Sequence, residues 1–384
     1  MPIRGKATPE GTRQYAMKFP ELVRARHFRD LHGLTVSSIG LGTYLGDEDE
    51  KTDRRYADSV SLAIKAGCNV IDSAINYRSQ RSERNIGLAL RSLMAPGSPE
   101  STGSPEPGAP AMRREEVIVA TKGGFIPFDG SRPRDAGGYF RSTFIDSGIA
   151  KPEDVVAGCH IMTPGYIRDQ ITRSLANLDL ETIDIYYIHN PETQLSEVPR
   201  PEFLKRLTAV FKALEGEARD GRIQYYGTAT WDGFRNAAGT AEHLSLEEVS
   251  AAAHEAGGDQ NRFRVIQLPY NFAMPEAFTR TCQNLGGHAM TPLAAAAKLG
   301  LFAMASASIL QGRLASGLPP EIAGGLPGLE TDAQRAIQFV RSTPGVGTAL
   351  VGMKNATHVR ENLAVSKTAP LHNQEVRSLF KKAD

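Results

Sequence analysis

The chain has 384 residues, and its 44 basic side chains nearly balance its 43 acidic ones, for a net charge of +1. That balance points away from nucleic acid and from an anionic membrane surface as partners. No apolar stretch is long enough to span a bilayer, and the three scattered cysteines, Cys68, Cys159 and Cys282, suggest neither a disulfide framework nor a metal site. The amino terminus lacks the apolar core of a secretory signal, so the expected setting is a reducing cytoplasm. Cys68, just ahead of an apolar run, reads as buried packing.

A polar stretch over residues 1–22 reads as an amino-terminal extension, and 23–384 as a single domain. Strands are expected at 39–43, 69–73, 117–122, 183–189, 223–228, 264–268, 301–306 and 347–352. Short β-branched runs of this length suit strands buried on both faces. Between them, apolar residues recur three and four apart, as in Val60, Ala63 and Ile64, or Ile167, Ile171, Leu175 and Leu178. Phe203, Leu207, Val210 and Leu214 repeat the pattern, and each set predicts a helix. Eight strands alternating with helices predict an α/β fold, a (β/α)8 barrel.

Such a barrel needs only about 250 residues, so the surplus must be inserted. Residues 95–112, rich in Pro, Gly and Ser, are expected to be a disordered surface loop. Residues 125–160 carry Phe125, Phe128, Tyr139, Phe140 and Phe144 and are expected to fold over the mouth of the barrel as an active-site loop. Residues 232–261 form a further expanded segment, helical in its second half.

Four of the apolar runs end in a polar residue: Asp72, Lys122, His189 and Gln267. A barrel of this kind carries its active site at the carboxyl ends of the strands, with several strands each giving one group. Taken singly, each residue has a plainer reading. Asp72 could cap a helix, Tyr77 could lie on the surface, and His189 before Asn190-Pro191 could sit in a turn. Lys122 is harder to place otherwise, because lysine is seldom buried. Their joint occurrence favours catalysis.

The run Asp72-Ser73-Ala74-Ile75-Asn76-Tyr77 has the pattern D-x-A-x-x-Y after the second strand. With Lys122 ending the third strand and His189 the fourth, it resembles the aldo-keto reductases. The likeness runs from Phe28-Arg29-Asp30-Leu31 through Ile39-Gly40-Leu41-Gly42-Thr43-Tyr44 to Arg360-Glu361-Asn362-Leu363. It implies that Tyr77 is the general acid in carbonyl reduction and that His189 donates a hydrogen bond to the substrate oxygen. Hydride transfer to a carbonyl builds negative charge on that oxygen, so a proton donor must stand beside it. A phenol of pKa about 10 is a poor acid near neutrality. A nearby ammonium is expected to lower it by roughly 1–3 units, a task for Lys122, with Asp72 keeping Lys122 charged.

The resemblance further implies NADP(H) as cofactor, with NAD(H) less favoured, and neither metal nor flavin. Gly42, Thr43, Tyr44 and Asp72 would lie near the nicotinamide end, and Thr230 and Gln267 would bind its carboxamide. Ser306, Ala307, Ser308, Ile309, Leu310 and Gln311 match a phosphate-approaching loop. Gly352, Lys354, His358, Glu361 and Asn362 match the adenosine-phosphate segment, where a helix amino terminus and a cation meet the 2′-phosphate. Two positions depart from the family pattern. Ala229-Thr230 stands where Ser-Asn is usual, and Ser306 where many members carry a ring that stacks on nicotinamide. No G-x-G-x-x-G follows a strand, so a Rossmann mode is not indicated.

The function expected is NADP(H)-dependent reduction of an aldehyde or ketone, or the reverse, on a small-molecule carbonyl or alcohol substrate. The competing expectation is a slow-turnover nucleotide sensor or scaffold subunit on the same barrel, as in the channel-associated subunits similar to this family. A third is a lyase or isomerase using Lys122 as a Schiff-base amine. Oligomeric state is left open by the sequence.

Overall fold

In the computed structural model, which describes residues 1–95 and 112–380, eight parallel strands close into a barrel in chain order. They are β1 (Ile39–Gly42), β2 (Val70–Asp72), β3 (Ile118–Gly123), β4 (Ile183–His189), β5 (Ile223–Ala229), β6 (Phe263–Pro269), β7 (Phe302–Ser306) and β8 (Val346–Gly352). Each falls on an expected run, with neither end shifted by more than one residue. The last strand closes on the first, with Ala349 opposite Ile39 and Gly352 opposite Gly42. Apart from its two end residues, the polar loop expected at 95–112 lies outside the described residues.

The barrel helices are α1 (Glu50–Lys65), α2 (Arg81–Met94), α3 (Pro164–Leu178), α4 (Arg200–Arg219), α5 (Leu246–Gly257), α6 (Pro292–Lys298), α7 (Asp332–Ser342) and α8 (Ala356–Ala364). Six open on a side chain that accepts a backbone N–H of the first turn: Asp49, Thr163, Ser245, Thr291, Thr331 and Asn355. Such caps satisfy donors that the helix itself leaves unpaired.

Two apolar layers result. The outer one packs Ile71, Val119 and Ile266 of the strands against Val60, Ile64, Ile171 and Leu207 of the helices. The inner one fills the lumen with Val70, Ile118, Ala120, Ile185, Tyr187, Val265, Met304 and Leu350. Strand side chains alternate faces with period two. Val70 inward therefore puts Asp72 inward, and Ala120 does the same for Lys122, Tyr187 for His189 and Val265 for Gln267. The lumen pattern by itself aims four polar ends at one place.

The other end of the barrel is closed by a hairpin, Phe28–Leu31 with Leu34–Ser37, whose Leu31, Leu34 and Val36 join the lumen cluster. Residues 1–22 pack beneath it. Ala7 is fully buried, and its N–H donates to Asp184 Oδ1 at 2.7 Å. Asp184 Oδ2 accepts from Arg114 at 2.7 Å and from the Val119 N–H at 2.8 Å. Arg114→Met would leave that carboxylate buried without its counter-charge, a change that typically costs about 3–5 kcal/mol. Urea unfolding is expected to show a lowered midpoint with unchanged slope; an unmoved midpoint would mean that the pair carries no such weight.

Within residues 125–160 the aromatic side chains serve mainly one another. Phe128 packs edge-on against Tyr139, Tyr139 against Phe144, and Phe144 against Tyr166 of α3. Backbone bonds from Gly130 to Ser79 and from Ile161 to Gly124 fix the segment to the barrel rim. The helix Asn373–Leu379 ends at Phe380, which packs on Phe278 and Phe339. No helix among the described residues is long and apolar enough to cross a membrane.

Candidate active site

At the carboxyl ends of the strands lies a cleft of about 840 Å³. One end is bounded by Asp72, Tyr77 and His189, the other by Lys354, His358, Glu361 and Asn362. Every residue expected to touch a dinucleotide lines it except Leu310.

Lys122 does not line the cleft. It is fully buried beneath it, where Nζ donates to Asp72 Oδ2 at 2.7 Å and to the Ser73 carbonyl at 2.6 Å. The second carboxylate oxygen, Asp72 Oδ1, accepts from Gln267 Nε2 at 2.9 Å. Burial pulls the Lys122 ammonium down from its usual range, and the Asp72 carboxylate pushes back.

The ring centroid of Tyr77 lies 5.1 Å from Lys122 Nζ. Desolvation drives its phenol well above the usual value, helped by the Asp72 charge and by Tyr44. The lowering expected from Lys122 is therefore not what the phenol shows, because burial and the Asp72 charge push the other way. The phenol is held in its protonated form around neutrality.

His189 is set by contacts that no sequence pattern announces. His160 Nε2 donates to the His189 carbonyl at 2.8 Å, and Gln194 Nε2 donates to His160 Nδ1 at 2.9 Å, which fixes the tautomer. Burial lowers the His160 pKa to about 4. Asn190, in the left-handed region at φ +44°, donates its N–H to the Ala229 carbonyl at 2.6 Å. Phe125 stands edge-on to the His189 ring at 5.0 Å. Burial, then Lys122 and His160, hold the His189 imidazole well below its usual pKa, so it is neutral. Its Nδ1 is buried without a partner. A protonated phenol and a neutral imidazole thus face the same end of the cleft, above a buried ion pair. That arrangement can polarise a carbonyl oxygen and give it a proton.

The sequence model of the Aldo/keto reductase family matches residues 38–298, more than half of the chain. The chain belongs to the aldo-keto reductase family. It is 23% identical over 360 residues to a probable voltage-gated potassium channel subunit beta of Arabidopsis thaliana, covering 88% of this chain and 90% of that protein. It is 27% identical to aldo-keto reductase family 1 member C1 of Pongo abelii, over 42% of this chain and 33% of that protein. Here the match spans only a third of the relative's length. Among solved structures, an aldo/keto reductase from Klebsiella pneumoniae in complex with NADP and acetate superposes with a TM-score of 0.58 at 20% identity. That match covers 91% of this chain and 93% of the other, and it shows the shared fold.

In this aldo-keto reductase the two departures from the family pattern both lie in the cleft. Thr230 Oγ1 is buried with no partner, while its N–H donates to the Gln267 carbonyl at 2.8 Å. The end of β7 presents Ser306, Ala307 and Ser308, and no ring. The structure adds Leu45 and Tyr56, lining residues that no sequence pattern marks, and it places Phe125 of the expected active-site loop in the wall, together with Asn76, Asn190 and Trp231. Behind them Arg78 joins two loops. Its Nε and Nη2 donate to the Asp47 carbonyl at 2.9 and 2.7 Å, and Nη2 also meets Asp53 at 2.6 Å. The segment carrying Tyr44 is thereby tied to the one carrying Tyr77. Arg78, Ser79 and Gln80 are three successive left-handed residues, at φ +48°, +52° and +72°. Side chains seldom adopt that conformation, and nothing local in the sequence signals it.

Proposed function

We propose that this chain is an NADP(H)-dependent oxidoreductase that interconverts a carbonyl compound and its alcohol, with Tyr77 as the proton donor in the reducing direction. The observation that carries the reading is the meeting of Tyr77, His189 and the Asp72–Lys122 pair at one end of a cleft whose other end offers a cation. Lys354 has no carboxylate partner among the described residues. It precedes Asn355, which caps α8 by accepting the His358 N–H at 2.9 Å. A 2′-phosphate wants such a cation and such a helix start.

The residues present fit a dinucleotide. Thr230 Oγ1 and Asn76 Oδ1 are buried polar atoms without partners, on residues that line the cleft, and an amide or hydroxyl of a ligand would satisfy them. The cofactor, when bound, supplies the hydride. Gln267, Thr230 and Asp72 would orient its reactive end, and Ser306, Ser308 and Gln311 would meet the middle. Tyr77 and His189 hold the substrate oxygen between them. Lys122 and Asp72 keep a fixed charge beneath Tyr77 as negative charge grows on that oxygen. A cytoplasmic setting is consistent with three unpaired cysteines.

The test is NADPH absorbance during incubation with a panel of aldehydes and ketones, and NADP⁺ with the alcohols. Lys354→Met is expected to raise KM for NADPH roughly tenfold, the worth of one charge-assisted bond, with little change for NADH. Equal effects on both cofactors would remove Lys354 from the phosphate site.

A second reading has one observation in its favour. Relatives described as potassium channel subunits match along most of the chain. A sensor of nicotinamide nucleotide would retain cofactor tightly and turn over no member of the panel in either direction.

A further inference from the structure

Trp231 is the only tryptophan in the chain. It follows β5, lines the cleft and is 40% exposed. Tyr44 and Leu45, at 53% and 38%, stand exposed in the same cleft. Exposed apolar side chains scattered singly need no explanation, but a cluster around a cleft marks a binding surface.

What holds Trp231 in place is a carboxylate. Glu192 Oε1 accepts the backbone N–H of Trp231 at 2.7 Å, of Asp232 at 3.1 Å and of Gly233 at 3.3 Å. Glu192 is buried, and its Oε2 has no partner. A buried carboxylate is a costly way to fill space; its return is that one oxygen gathers three consecutive donors and so fixes the turn bearing the indole.

The charged groups around it are occupied elsewhere. Asp232 pairs with Arg235 at 2.5 Å, and Arg235 also donates to the Trp231 carbonyl at 2.8 Å. His243 faces the Asn236 carbonyl at 3.2 Å, and Arg200 meets Glu248 at 3.0 Å and the His243 carbonyl at 2.5 Å. On the side of Glu192 itself, His189 and His160 are held neutral, as described. Burial lifts the Glu192 carboxyl to about 7, against the downward pull of the N–H bonds.

We propose that Trp231 is the substrate-selecting wall of the cleft, that Glu192 is the residue that positions it, and that the carbonyl compounds selected carry a flat apolar body. The proposal rests on the reductase reading of the same cleft. An indole that lines the same cleft as Tyr44 and Leu45 offers a planar substrate a face on which stacking adds to area burial. Protonating Glu192 removes the charge from its three N–H bonds and loosens the wall, so selection weakens as pH falls through about 7.

The experiment compares wild type, Trp231→Ala and Glu192→Gln with NADPH, using benzaldehyde and propanal as substrates on both sides of that pH. Trp231→Ala is expected to lower the ratio of kcat/KM for benzaldehyde over propanal by roughly tenfold, mainly through KM. In wild type the ratio falls on acidification while Trp231 emission shifts over the same range. In Glu192→Gln both are flat. Calorimetric binding of benzaldehyde to the NADP⁺-loaded protein, which cannot reduce it, is measured in parallel. An unchanged ratio in Trp231→Ala, with turnover intact, overturns the proposal and leaves the reductase reading standing. Absent turnover, with benzaldehyde binding that weakens in both variants, overturns the reductase reading and keeps the wall. A pH response that persists in Glu192→Gln removes Glu192 from its role.

Discussion

Tyr77→Phe is expected to lower kcat for carbonyl reduction by roughly 10²- to 10⁴-fold, the usual worth of a positioned acid. The substitution deletes one oxygen and keeps the ring. Packing against Tyr44 at 4.9 Å and His189 at 5.8 Å is retained, as is the approach of Lys122 at 5.1 Å. NADPH affinity should therefore survive, and equilibrium binding of NADPH to the variant checks that it does. The high phenol pKa matters to the interpretation. Tyr77 enters the cycle protonated over the whole neutral range, so wild-type reduction should show no loss from phenol ionisation near neutrality. Full activity in the variant would leave proton donation to His189, whose neutral ring can supply only one N–H.

Lys122→Met should lose both activity and stability. Removing the ammonium leaves the Asp72 carboxylate buried with the Gln267 amide as its remaining side-chain donor. Breaking a buried pair in this way costs about 3–5 kcal/mol. The double variant Lys122→Met/Asp72→Asn removes both charges, and its unfolding midpoint should recover most of that loss while turnover stays low. If the double variant is no more stable than the single one, the ion pair is not the source of the penalty. Borohydride reduction in the presence of a carbonyl substrate offers a separate check. Covalent capture on Lys122 would favour Schiff-base chemistry over hydride transfer.

Much of this molecule could be read from its sequence because buried strands are periodic. Val70, Ala120, Tyr187 and Val265 set the inward face, and each polar strand end two residues on follows from them. The eight strands were legible as short apolar, β-branched runs set between helical stretches. What escaped was held by long-range or non-repeating contacts. The bonds of Glu192 to the Trp231 turn span 39 to 41 residues, and no pattern in either segment announces them. The left-handed run at Arg78, Ser79 and Gln80 contains no glycine or asparagine. The aromatic side chains of residues 125–160 suggested a lid, yet Phe125 alone among them lines the cleft. Composition could not say whether those rings faced a ligand or one another. The direction of the Tyr77 shift is set first by burial and then by the Asp72 charge, and spacing reveals neither.

The bond between Ala7 and Asp184 has a consequence for how the chain is made. Its partners are 177 residues apart. At about 5–20 residues per second of synthesis, the amino-terminal segment waits roughly 9–35 seconds before its acceptor exists. Its early apolar residues have no native seat during that time. Closing β8 onto β1 waits longer still, because Ala349 must emerge before Ile39 finds its neighbour. Such distant pairings make folding slow and expose unpaired edges. Chaperone dependence during synthesis should accordingly track the arrival of residue 184, and then of β8, more closely than it tracks total length.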